Sequence, residues 1–543
     1  YTYKDSDFEL PISISYSSNG LRPNVLAGVV GHDWSLNVGG VVTRQVRGLA
    51  DEKRLPAASP FPIYGFLEAH RSLGQQDANG NYNDGLRPGD EPEELWAVNI
   101  FNANNTSADD FNMGADNPTF YYAPNNYILN DNLYYQGPLY DMEPDEFSFN
   151  FLGYSGKFEL GFSKKIYVYD TNTRDTEFTI ELPGTNLSEI VITTGDGYRY
   201  TFGTGLAREH GGDNEIGTAW KLSRITAPNG REVVFTYSRS PQTTQGTTLS
   251  YSSYNQYGPS GLSYSYQGEY YPLVNGIYDY ENLVSKSIDY RPILPQLSLP
   301  NYVSALTDIT ISDGAKVNFF YKTLSQSESG ASTTLNNLPK LDQIIVSYGL
   351  GATTLKTCSL EYTFPQASAS NKIPFLSSIT ISGLGTYSMN YDYTSSTIFP
   401  KHGSFATDHW GYYNGYSGTA SSFYARTEQN AYLEESVTSS VRDASFNHAK
   451  LGMLKSVTYP TGGKTTFEYE AHTYSSHGVR EYPDFDITYR NNEGGIDKTA
   501  GGVRIKSIKD YIKESDTTPA YVRTFTYGSS ASSGTLAPLP RYG

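Results

Sequence analysis

The sequence has little cysteine and methionine, and this shortage excludes a fold held together by disulfides. One cysteine, Cys358, is present among 543 residues, together with 4 methionines, so no internal disulfide can form. The surrounding stretch LKTCSLEYTF has the pattern of a strand that buries a small apolar side chain. We therefore expect Cys358 to pack in the core and not to act as a reactive thiol.

Basic residues and long apolar runs are also scarce. The 40 Lys and Arg residues face 57 Asp and Glu residues, which gives a net charge of −17. Phosphate backbones repel a chain of this charge, so we expect no nucleic-acid partner. No apolar run approaches the roughly 18 residues of a membrane-spanning helix, and the mean hydropathy is −0.48. We expect a water-soluble chain without a transmembrane segment.

Tyrosine, phenylalanine and glycine are abundant instead. The sequence has 48 Tyr, 25 Phe and 51 Gly, a composition that favours strands and tight turns. The stretch FELPISISY alternates apolar and polar residues, and DEFSFNFLGYSGKFEL has the pattern of two such strands around a turn through Gly153 to Gly156. Alternation at period two is typical of half-buried strands. The sequence predicts an all-β fold.

We divide the chain into two regions. Residues 1–165 form an amino-terminal β region with a long insertion at about 51–140, which is rich in Asn, Asp, Pro and Gly. Residues 166–543 form a region of repeated hairpins, with insertions at about 239–300 and 395–450. Long segments without a sustained period are typical of surface insertions.

An internal repeat is the strongest signal in the second region. Each unit starts at a Leu, with a β-branched residue three positions later, a glycine near position plus eight, and mainly aromatic residues at plus thirteen and plus fifteen. Looser copies begin near Leu341 and Ile505. The predicted structural core of the repeats is Leu187, Ile190, Tyr200, Phe202, Leu222, Ile225, Phe235, Tyr237, Leu306, Ile309, Phe319, Tyr321, Leu376, Ile379, Tyr391, Leu454, Val457, Phe467 and Tyr469.

Each unit has the pattern of a β-hairpin. The pairs Asn229-Gly230 and Asp313-Gly314 supply residues that tolerate the positive φ of two-residue hairpin loops. The leading Leu precedes the β-branched residue by an odd number of positions. It therefore either faces the other side of the sheet or follows a β-bulge, and the sequence leaves both alternatives open.

The histidines form no metal-binding pattern. His472 and His477 are the nearest pair, but a zinc site needs three or four convergent ligands, and no cysteines accompany them. We predict turn histidines that contact solvent. The eight histidines are His32, His70, His210, His402, His409, His448, His472 and His477.

No catalytic constellation stands out either. Asp408 and His409, beside Trp410, could form an orienting carboxylate and a base, but no positioned nucleophile accompanies them, and we predict an aromatic corner. Acidic clusters at 89–94 and 109–110 lie among Pro and Asn residues, which argues against two glycosidase carboxylates at a fixed separation. A weak calcium site in the first insertion stays open, although no EF-hand loop is present. We predict no enzyme, no bound metal and no cofactor.

A tyrosine-rich insertion at residues 248–282 is the candidate binding segment. Exposed Tyr with Ser, Gly and Asn is the composition of adaptable recognition loops, and aromatic faces can stack on glycans. A loop that only lies across the sheet is an equally good interpretation. The candidate ligand-contact residues are Tyr251, Tyr254, Tyr257, Tyr264, Tyr266, Tyr270 and Tyr271.

The repeat unit resembles the YD or RHS repeat. The stretches LPISISYSSNG, GHDWSLNVGGVVTRQVRG, PDEFSFNFLGYSGKFEL, DHWGYYNGY and YPTGGKTTFEYE resemble the amino-terminal part of large exported RHS-repeat proteins of Bacteroidetes-type bacteria. The resemblance implies a long β-sheet ribbon that spirals into a hollow, cocoon-like shell, which in polymorphic-toxin relatives encloses a carboxy-terminal effector. It also implies secretion or display on the outer cell surface, with the type 9 outer-membrane secretion machinery as a transient partner.

The chain departs from the family pattern in two ways. Its repeats are irregularly spaced, and the DPxG signature that closes the family's shell is absent. We therefore expect a piece of a longer protein, with plug and effector beyond Gly543. The first functional hypothesis is a non-enzymatic secreted or cell-surface shell segment, a scaffold and container for a downstream effector of the same polypeptide. The alternative is a surface adhesin or glycan-binding module, and a carbohydrate-cleaving enzyme is the least favoured hypothesis.

Overall fold

The computed structural model confirms the all-β prediction. Among the residues that it describes, strands make up almost all the regular structure, with one short helix, α1 (Phe446–Ala449), and 3-10 turns at Gly205–Ala207 and Glu493–Gly495. The structure describes residues 1–23, 25, 27–47, 50–52, 144–161, 166–172, 178–183, 187–210, 216–239, 244–245, 304–322, 339–349, 353–365, 373–394, 397–400, 404, 406–416, 442–480 and 487–527, together with the backbone of the short strands in between.

The strands are numbered in chain order. They are β1 Thr2–Lys4, β2 Glu9–Pro11, β3 Ser13–Tyr16, β4 Trp34–Asn37, β5 Gly40–Gln45, β6 Arg54–Leu55, β7 Ile63–Tyr64, β8 Phe120–Tyr122, β9 Asn126–Leu129, β10 Asn132–Tyr135, β11 Leu139–Asp141, β12 Glu146–Phe151, β13 Tyr154–Leu160, β14 Ile166–Tyr169, β15 Thr179–Glu181, β16 Ile190–Thr193, β17 Arg199–Phe202, β18 Arg208–His210, β19 Gly217–Thr226, β20 Glu232–Ser238, β21 Tyr254–Asn255, β22 Tyr264–Tyr270, β23 Leu273–Val274, β24 Ile277–Tyr278, β25 Val284–Tyr290, β26 Pro300–Asn301, β27 Ala305–Ile311, β28 Ala315–Lys322, β29 Lys340–Tyr348, β30 Thr353–Thr363, β31 Phe375–Ile381, β32 Gly385–Tyr391, β33 Leu454–Thr458, β34 Lys464–Arg480, β35 Ile487–Asn491, β36 Lys498–Tyr511, β37 Tyr521–Thr524 and β38 Ser533–Leu536.

One antiparallel ribbon dominates the molecule. Its strands pair with their neighbours in the order β15-β16-β17-β19-β20-β27-β28-β29-β30-β31-β32-β33-β34-β36-β37. The hairpin predicted around Gly230 is β19-β20, and the one around Gly314 is β27-β28. Both glycines have positive φ, +84° and +93°, as their turns require.

A second branch joins the ribbon at β19. The first half of β19 pairs with β5 and β18, and its second half pairs with β17 and β20. From β5 the branch continues through β12 and β13 to β14. The two predicted regions therefore share hydrogen-bonded strands, and the boundary between residues 165 and 166 stays a prediction.

Recurring β-bulges decide between the two alternatives for the leading Leu. Phe235 lies opposite Ile309 and Tyr237 lies opposite Leu306, so β27 carries one extra residue between the two. Because of this residue, Leu306 and Ile309 face the same side, and both are buried. The same register shift recurs at Leu222, Leu341, Leu376, Leu454 and Ile505.

The core lies on one side of the ribbon, between it and residues 1–39, which we call the amino-terminal segment. Phe8, Leu10, Ile12, Leu21 and Val30 of this segment belong to the same buried cluster as the repeat residues. Isolated hairpins cannot bury their apolar side alone, and the amino-terminal segment supplies the missing layer. We call this side of the ribbon the covered face.

Two further observations bear on the sequence predictions for Cys358 and for membrane-spanning helices. Cys358 is half-buried against the core, and burial raises the pKa of its thiol to about 11, which fits packing rather than reactivity. Within the described ranges, no helix is both long and apolar enough to cross a membrane.

Candidate functional site

In the repeats that end in a tyrosine, this tyrosine donates a hydrogen bond to the backbone carbonyl oxygen of the first residue of the same repeat. The Tyr237 hydroxyl donates to the Leu222 carbonyl oxygen at 2.8 Å, and the Tyr321 hydroxyl donates to that of Leu306 at 2.7 Å. The same bond joins Tyr391 to Leu376 and Tyr469 to Leu454, in every case across fifteen residues. The looser copies use Tyr362 on Leu341 and Tyr527 on Ile505.

The β-bulge explains why the leading carbonyl oxygen needs this hydrogen bond. An extra residue interrupts the ladder beside the leading residue, and a buried carbonyl without a partner costs about 1–3 kcal/mol. Burial raises the pKa of Tyr237, Tyr391 and Tyr469, so these hydroxyls stay protonated and can donate at any ordinary pH. We call this bond the tyrosine cap.

The first unit uses a different donor. Phe202 stands where the other units have tyrosine, and it carries no hydroxyl. The indole nitrogen Nε1 of Trp220 donates to the Leu187 carbonyl oxygen instead, at 2.7 Å. Trp220 is fully buried and lies 5.7 Å from Phe147, ring centre to ring centre. The repeat pattern does not contain Trp220, and the missing hydroxyl at Phe202 is the only signal in the sequence that points to it.

The structure brings the predicted repeat residues together in one core. All of them lie in the main buried cluster or pack against it, except Tyr469, which packs against a smaller cluster around Tyr412 and Met453. The half-buried members are Tyr237, Ile379, Val457, Phe467 and Tyr469. The candidate tyrosines of the 248–282 insertion fall outside the residues whose side chains the structure describes.

The amino-terminal segment bonds to the leading ends of several units. The Leu341 N–H donates to the Val29 carbonyl oxygen at 2.8 Å, and the His32 N–H donates to that of Pro374 at 2.8 Å. Further along, the Leu454 N–H donates to the Tyr16 hydroxyl at 2.9 Å. These bonds tie positions that are hundreds of residues apart, so they fix the path of the segment across the covered face.

Hairpin β1-β2 at the start of the segment lies over the turns of the ribbon. Arg231 pairs with Asp5 at 2.7 Å and also with Asp7, and the Tyr198 hydroxyl donates to the Asp7 carbonyl oxygen at 2.7 Å. Tyr3 bonds to Asp313 in the next turn. Burial raises the pKa of Asp5, but hydrogen bonds from the Phe8 N–H and its other donors outweigh this and lower it to about 2.

Lys340 of the ribbon binds the next part of the amino-terminal segment, at residues 27 and 28. Its ammonium nitrogen lies 2.9 Å from the Gly28 carbonyl oxygen and 3.2 Å from that of Ala27. The residue is 3% exposed, and burial lowers the pKa of its amine to about 7.

The stability of the fold should therefore rise with pH around Lys340. Its folded-state pKa lies below the unfolded value of 10.5, so the unfolded chain binds more protons between about pH 7 and 10.5, and unfolding becomes harder as pH increases. The slope contributed by this group is at most about 1.4 kcal/mol per pH unit. Urea unfolding at pH 7, 8.5 and 10 should show a smaller rise for Lys340→Met than for the native chain. The exposed Lys455→Met is the matched control, and equal slopes for native chain and Lys340→Met would contradict the assignment.

A buried ionic cluster closes the base of the first insertion. Nε of Arg44 lies 2.7 Å from the Asp145 carboxylate, and its terminal nitrogens bond to Glu52 at 2.9 and 2.5 Å. Asp51 and Asp145 each accept the other's backbone N–H at 3.0 Å. Since Asp51 and Asp145 flank the insertion, these bonds hold its two ends together.

Asp51 is the third carboxylate, after Asp145 and Glu52, near the single guanidinium of Arg44, whose one positive charge cannot balance all three. The Asp51 Oδ2 is buried without a hydrogen-bond partner, and burial together with the Asp145 charge raises the pKa of Asp51 well above the usual value. A raised folded-state pKa means that stability is lost as pH rises through it.

The two aspartates should therefore respond oppositely to amide substitution. We expect Asp51→Asn to unfold at equal or higher urea concentration than the native chain at pH 8, because it removes an unbalanced charge. Asp145→Asn should unfold earlier, since it removes one of the two carboxylates that bond to buried Arg44 and leaves only Glu52. Urea midpoints at pH 8 measure both, and a larger loss for Asp51→Asn than for Asp145→Asn would refute this division of roles.

The Asp408 carboxylate binds backbone N–H groups. Its Oδ1 accepts the N–H groups of Trp410 at 2.9 Å and of Tyr412 at 3.0 Å. The turn packs against Gly501, where an added Cβ would lie 2.7 Å from Asp408 Oδ2 and from the Trp410 ring. In the part of the chain that the structure describes, no three His, Cys, Asp or Glu side chains are arranged to hold a metal ion.

Comparison with known proteins gives structural neighbours only. No protein-family model and no curated protein matches the chain. The N-terminal domain of the effector protein SpvB from Salmonella typhimurium strain LT2 matches over 70% of this chain and 96% of its own, with 12% identity and a TM-score of 0.27. The TcdB2-TccC3 structure matches over 70% of this chain and 16% of its own, with 8% identity and a TM-score of 0.27.

A Photorhabdus luminescens Tc holotoxin pore structure is similar over 70% of this chain and 15% of its own, with 10% identity and a TM-score of 0.26. The chain thus spans less than a fifth of the two Tc chains. At these identities and TM-scores the likeness to the solved structures carries no conclusion about this chain.

Proposed function

We propose that this chain is a non-enzymatic shell segment of an RHS-type toxin, a scaffold and container for an effector carried downstream in the same polypeptide. The observation that carries the proposal is the continuous antiparallel ribbon. The ribbon contains more paired strands than the roughly ten beyond which open twisted sheets curl or split. A ribbon of this length with one face covered by its own chain is suited to form a curved wall.

The two faces of the ribbon have different chemistry, which suits a wall. On β28, side chains alternate between buried and more exposed positions. The exposed side carries opposite charges on neighbouring strands, such as Lys316 with Asp308 at 3.1 Å and Arg224 with Glu232 at 2.8 Å. Such exposed pairs contribute little stability, but they keep the face hydrophilic and locally neutral. A wall of this kind encloses a cargo without binding it tightly.

The use of polar groups also supports a structural role. Tyrosine hydroxyls cap carbonyl groups, and the Asp408 carboxylate binds backbone N–H groups. These groups fix the backbone. Export by the type 9 machinery, a place outside the cell and glycan binding by the 248–282 insertion stay predictions from the sequence.

Limited proteolysis of the native full-length protein tests the container role. After digestion, the fragment containing residues 1–543 is purified under native conditions, and the masses of all bound fragments are measured. The proposal expects a protease-resistant carboxy-terminal fragment that stays bound and is released by urea. A carboxy-terminal region that is digested or separates freely, while residues 1–543 remain folded, would contradict it.

A further inference from the structure

The outer edge of β37, at the end of the ribbon, has no paired strand among the described residues. The inner edge of β37 pairs with β36, and every residue from 521 to 526 is exposed. Two of the exposed side chains are large and apolar, Tyr521 at 61% and Val522 at 45%. The outward N–H and C=O groups of such an edge are a template for one more strand.

The junctions between successive repeats show which strand pairs with a strand of this kind. At each of the five junctions that follow a capping tyrosine, this tyrosine lies opposite the leading residue of the next repeat. The pairs are Tyr237 with Leu306, Tyr321 with Leu341, Tyr362 with Leu376, Tyr391 with Leu454 and Tyr469 with Ile505.

A second pair of residues fixes the register at the same junctions. The residue two positions before the tyrosine lies opposite the β-branched residue three positions after the leading one. These pairs are Phe235 with Ile309, Phe319 with Ile344, Leu360 with Ile379, Met389 with Val457 and Phe467 with Ile508. One register therefore joins all these repeats, with one bulge residue between the two pairs.

β37 leads into the same pattern but lacks the next strand. The Tyr527 hydroxyl caps the Ile505 carbonyl oxygen at 2.6 Å, and Phe525 stands two positions before this tyrosine. Phe525 is 36% exposed. The equivalent residue is half-buried at Phe467 and 5% exposed or less at Phe235, Phe319, Leu360 and Met389.

We propose that the open edge of β37 docks one further antiparallel strand, the leading strand of a repeat carried downstream in the same polypeptide. A leucine of the docked strand lies opposite Tyr527, and a β-branched residue three positions later lies opposite Phe525. The register follows from the ribbon alone, because the five earlier junctions are made in this way. The source of the strand rests on the proposed function, in which the polypeptide extends further.

A synthetic strand tests the chemistry of this edge. The probe is the fluorescein-labelled, amidated peptide Ala-Leu-Thr-Asp-Ile-Thr-Ile, which has the sequence of β27. Fluorescence anisotropy should show saturable binding to the chain of residues 1–543. A probe that lacks the first Thr should bind at least about 10-fold more weakly, because without the bulge residue the Leu and the first Ile face opposite sides and one of them is not buried.

Two variants of the chain locate the binding. Phe525→Asp puts a charge opposite the docked β-branched side chain and should abolish binding. Thr524→Asp, on the other side of the same exposed strand, should change it by less than about 3-fold. No saturable binding, equal binding of the two probes, or equal binding to the native and Phe525→Asp chains would overturn the proposal.

Hydrogen–deuterium exchange identifies the source of the docked strand. We expect residues 520–527 to be protected in the native full-length protein and to exchange faster in the chain of residues 1–543. Equally fast exchange in both would refute the downstream strand, and so would protection of these residues in a dimer of the 1–543 chain, which would assign the edge to a second copy. No effector takes part in the probe measurements, so their failure leaves the container role standing.

Discussion

Removal of residues 1–39 is expected to leave a chain that no longer folds as a soluble monomer. The segment contributes Phe8, Leu10, Ile12, Leu21 and Val30 to the core, each 6% exposed or less. Burial of one such side chain stabilises by about 1.5–3 kcal/mol, and the truncation also exposes the apolar partners on the ribbon. Since whole domains are stable by only about 5–15 kcal/mol, the loss should exceed what remains. Size-exclusion chromatography and near-UV circular dichroism measure the outcome.

Substitutions within the segment provide the matched control. Leu10→Ala with Ile12→Ala removes two buried side chains, whereas Pro11→Ala with Ser13→Ala changes exposed positions of the same stretch. The first pair should cost several kcal/mol of unfolding free energy and the second less than about 1 kcal/mol. A truncated chain that elutes as a folded monomer, or equal effects of the two pairs, would show that the segment is not part of the core.

Trp220→Ala is expected to destabilise the chain by about 3–5 kcal/mol, the usual cost of removing a fully buried large aromatic side chain. The indole fills the space beside Gly203, where an added Cβ would lie 2.2 Å from its ring. Trp220→Phe keeps an aromatic ring but removes the N–H that bonds to Leu187, and it should cost about 1–3 kcal/mol for the unpaired carbonyl.

Chemical denaturation of the Trp220 variants separates the two contributions. Tyr348→Ala, at a position that is 50% exposed, should change stability by less than about 0.5 kcal/mol. If Trp220→Phe were as stable as the native chain, the hydrogen bond to Leu187 would have no structural importance, and the unit at Leu187 would not need a cap.

The sequence predicted the strands and turns because alternation and glycine spacing are local signals. The repeat spacing from Leu306 to Tyr321 identified two residues that the structure joins by a hydrogen bond. The spacing alone did not predict that the Tyr321 hydroxyl would be the donor. Whether Leu306 followed a bulge could not be decided, since a bulge depends on the register of the neighbouring strand. The turn predicted through Gly153 to Gly156 is shorter than expected: Gly156 lies in β13 opposite Phe149, and Leu152 and Gly153 make the turn.

The sequence alone could not identify the amino-terminal segment as the layer that completes the core. FELPISISY was predicted as one half-buried strand, but it forms β2 and β3 on either side of Ile12. Its alternation indicates an apolar side without identifying the partner, because contacts such as Tyr16 with Leu454 span more than four hundred residues. Trp220 was missed for a similar reason, since it substitutes for a tyrosine of another strand.

Hydrogen–deuterium exchange of the intact chain, followed by mass spectrometry of peptides, tests the central claim that the amino-terminal segment is a permanent layer of the ribbon. Backbone groups that are bonded and buried in a cooperative core exchange only by large-scale opening. We predict that peptides covering residues 8–21 and 28–38 are protected to the same extent as those covering β27 and β28, and that they lose protection at the same urea concentration. Exchange of these peptides within seconds, while β27 and β28 remain protected, would show that the ribbon buries its covered face without them and would contradict the account.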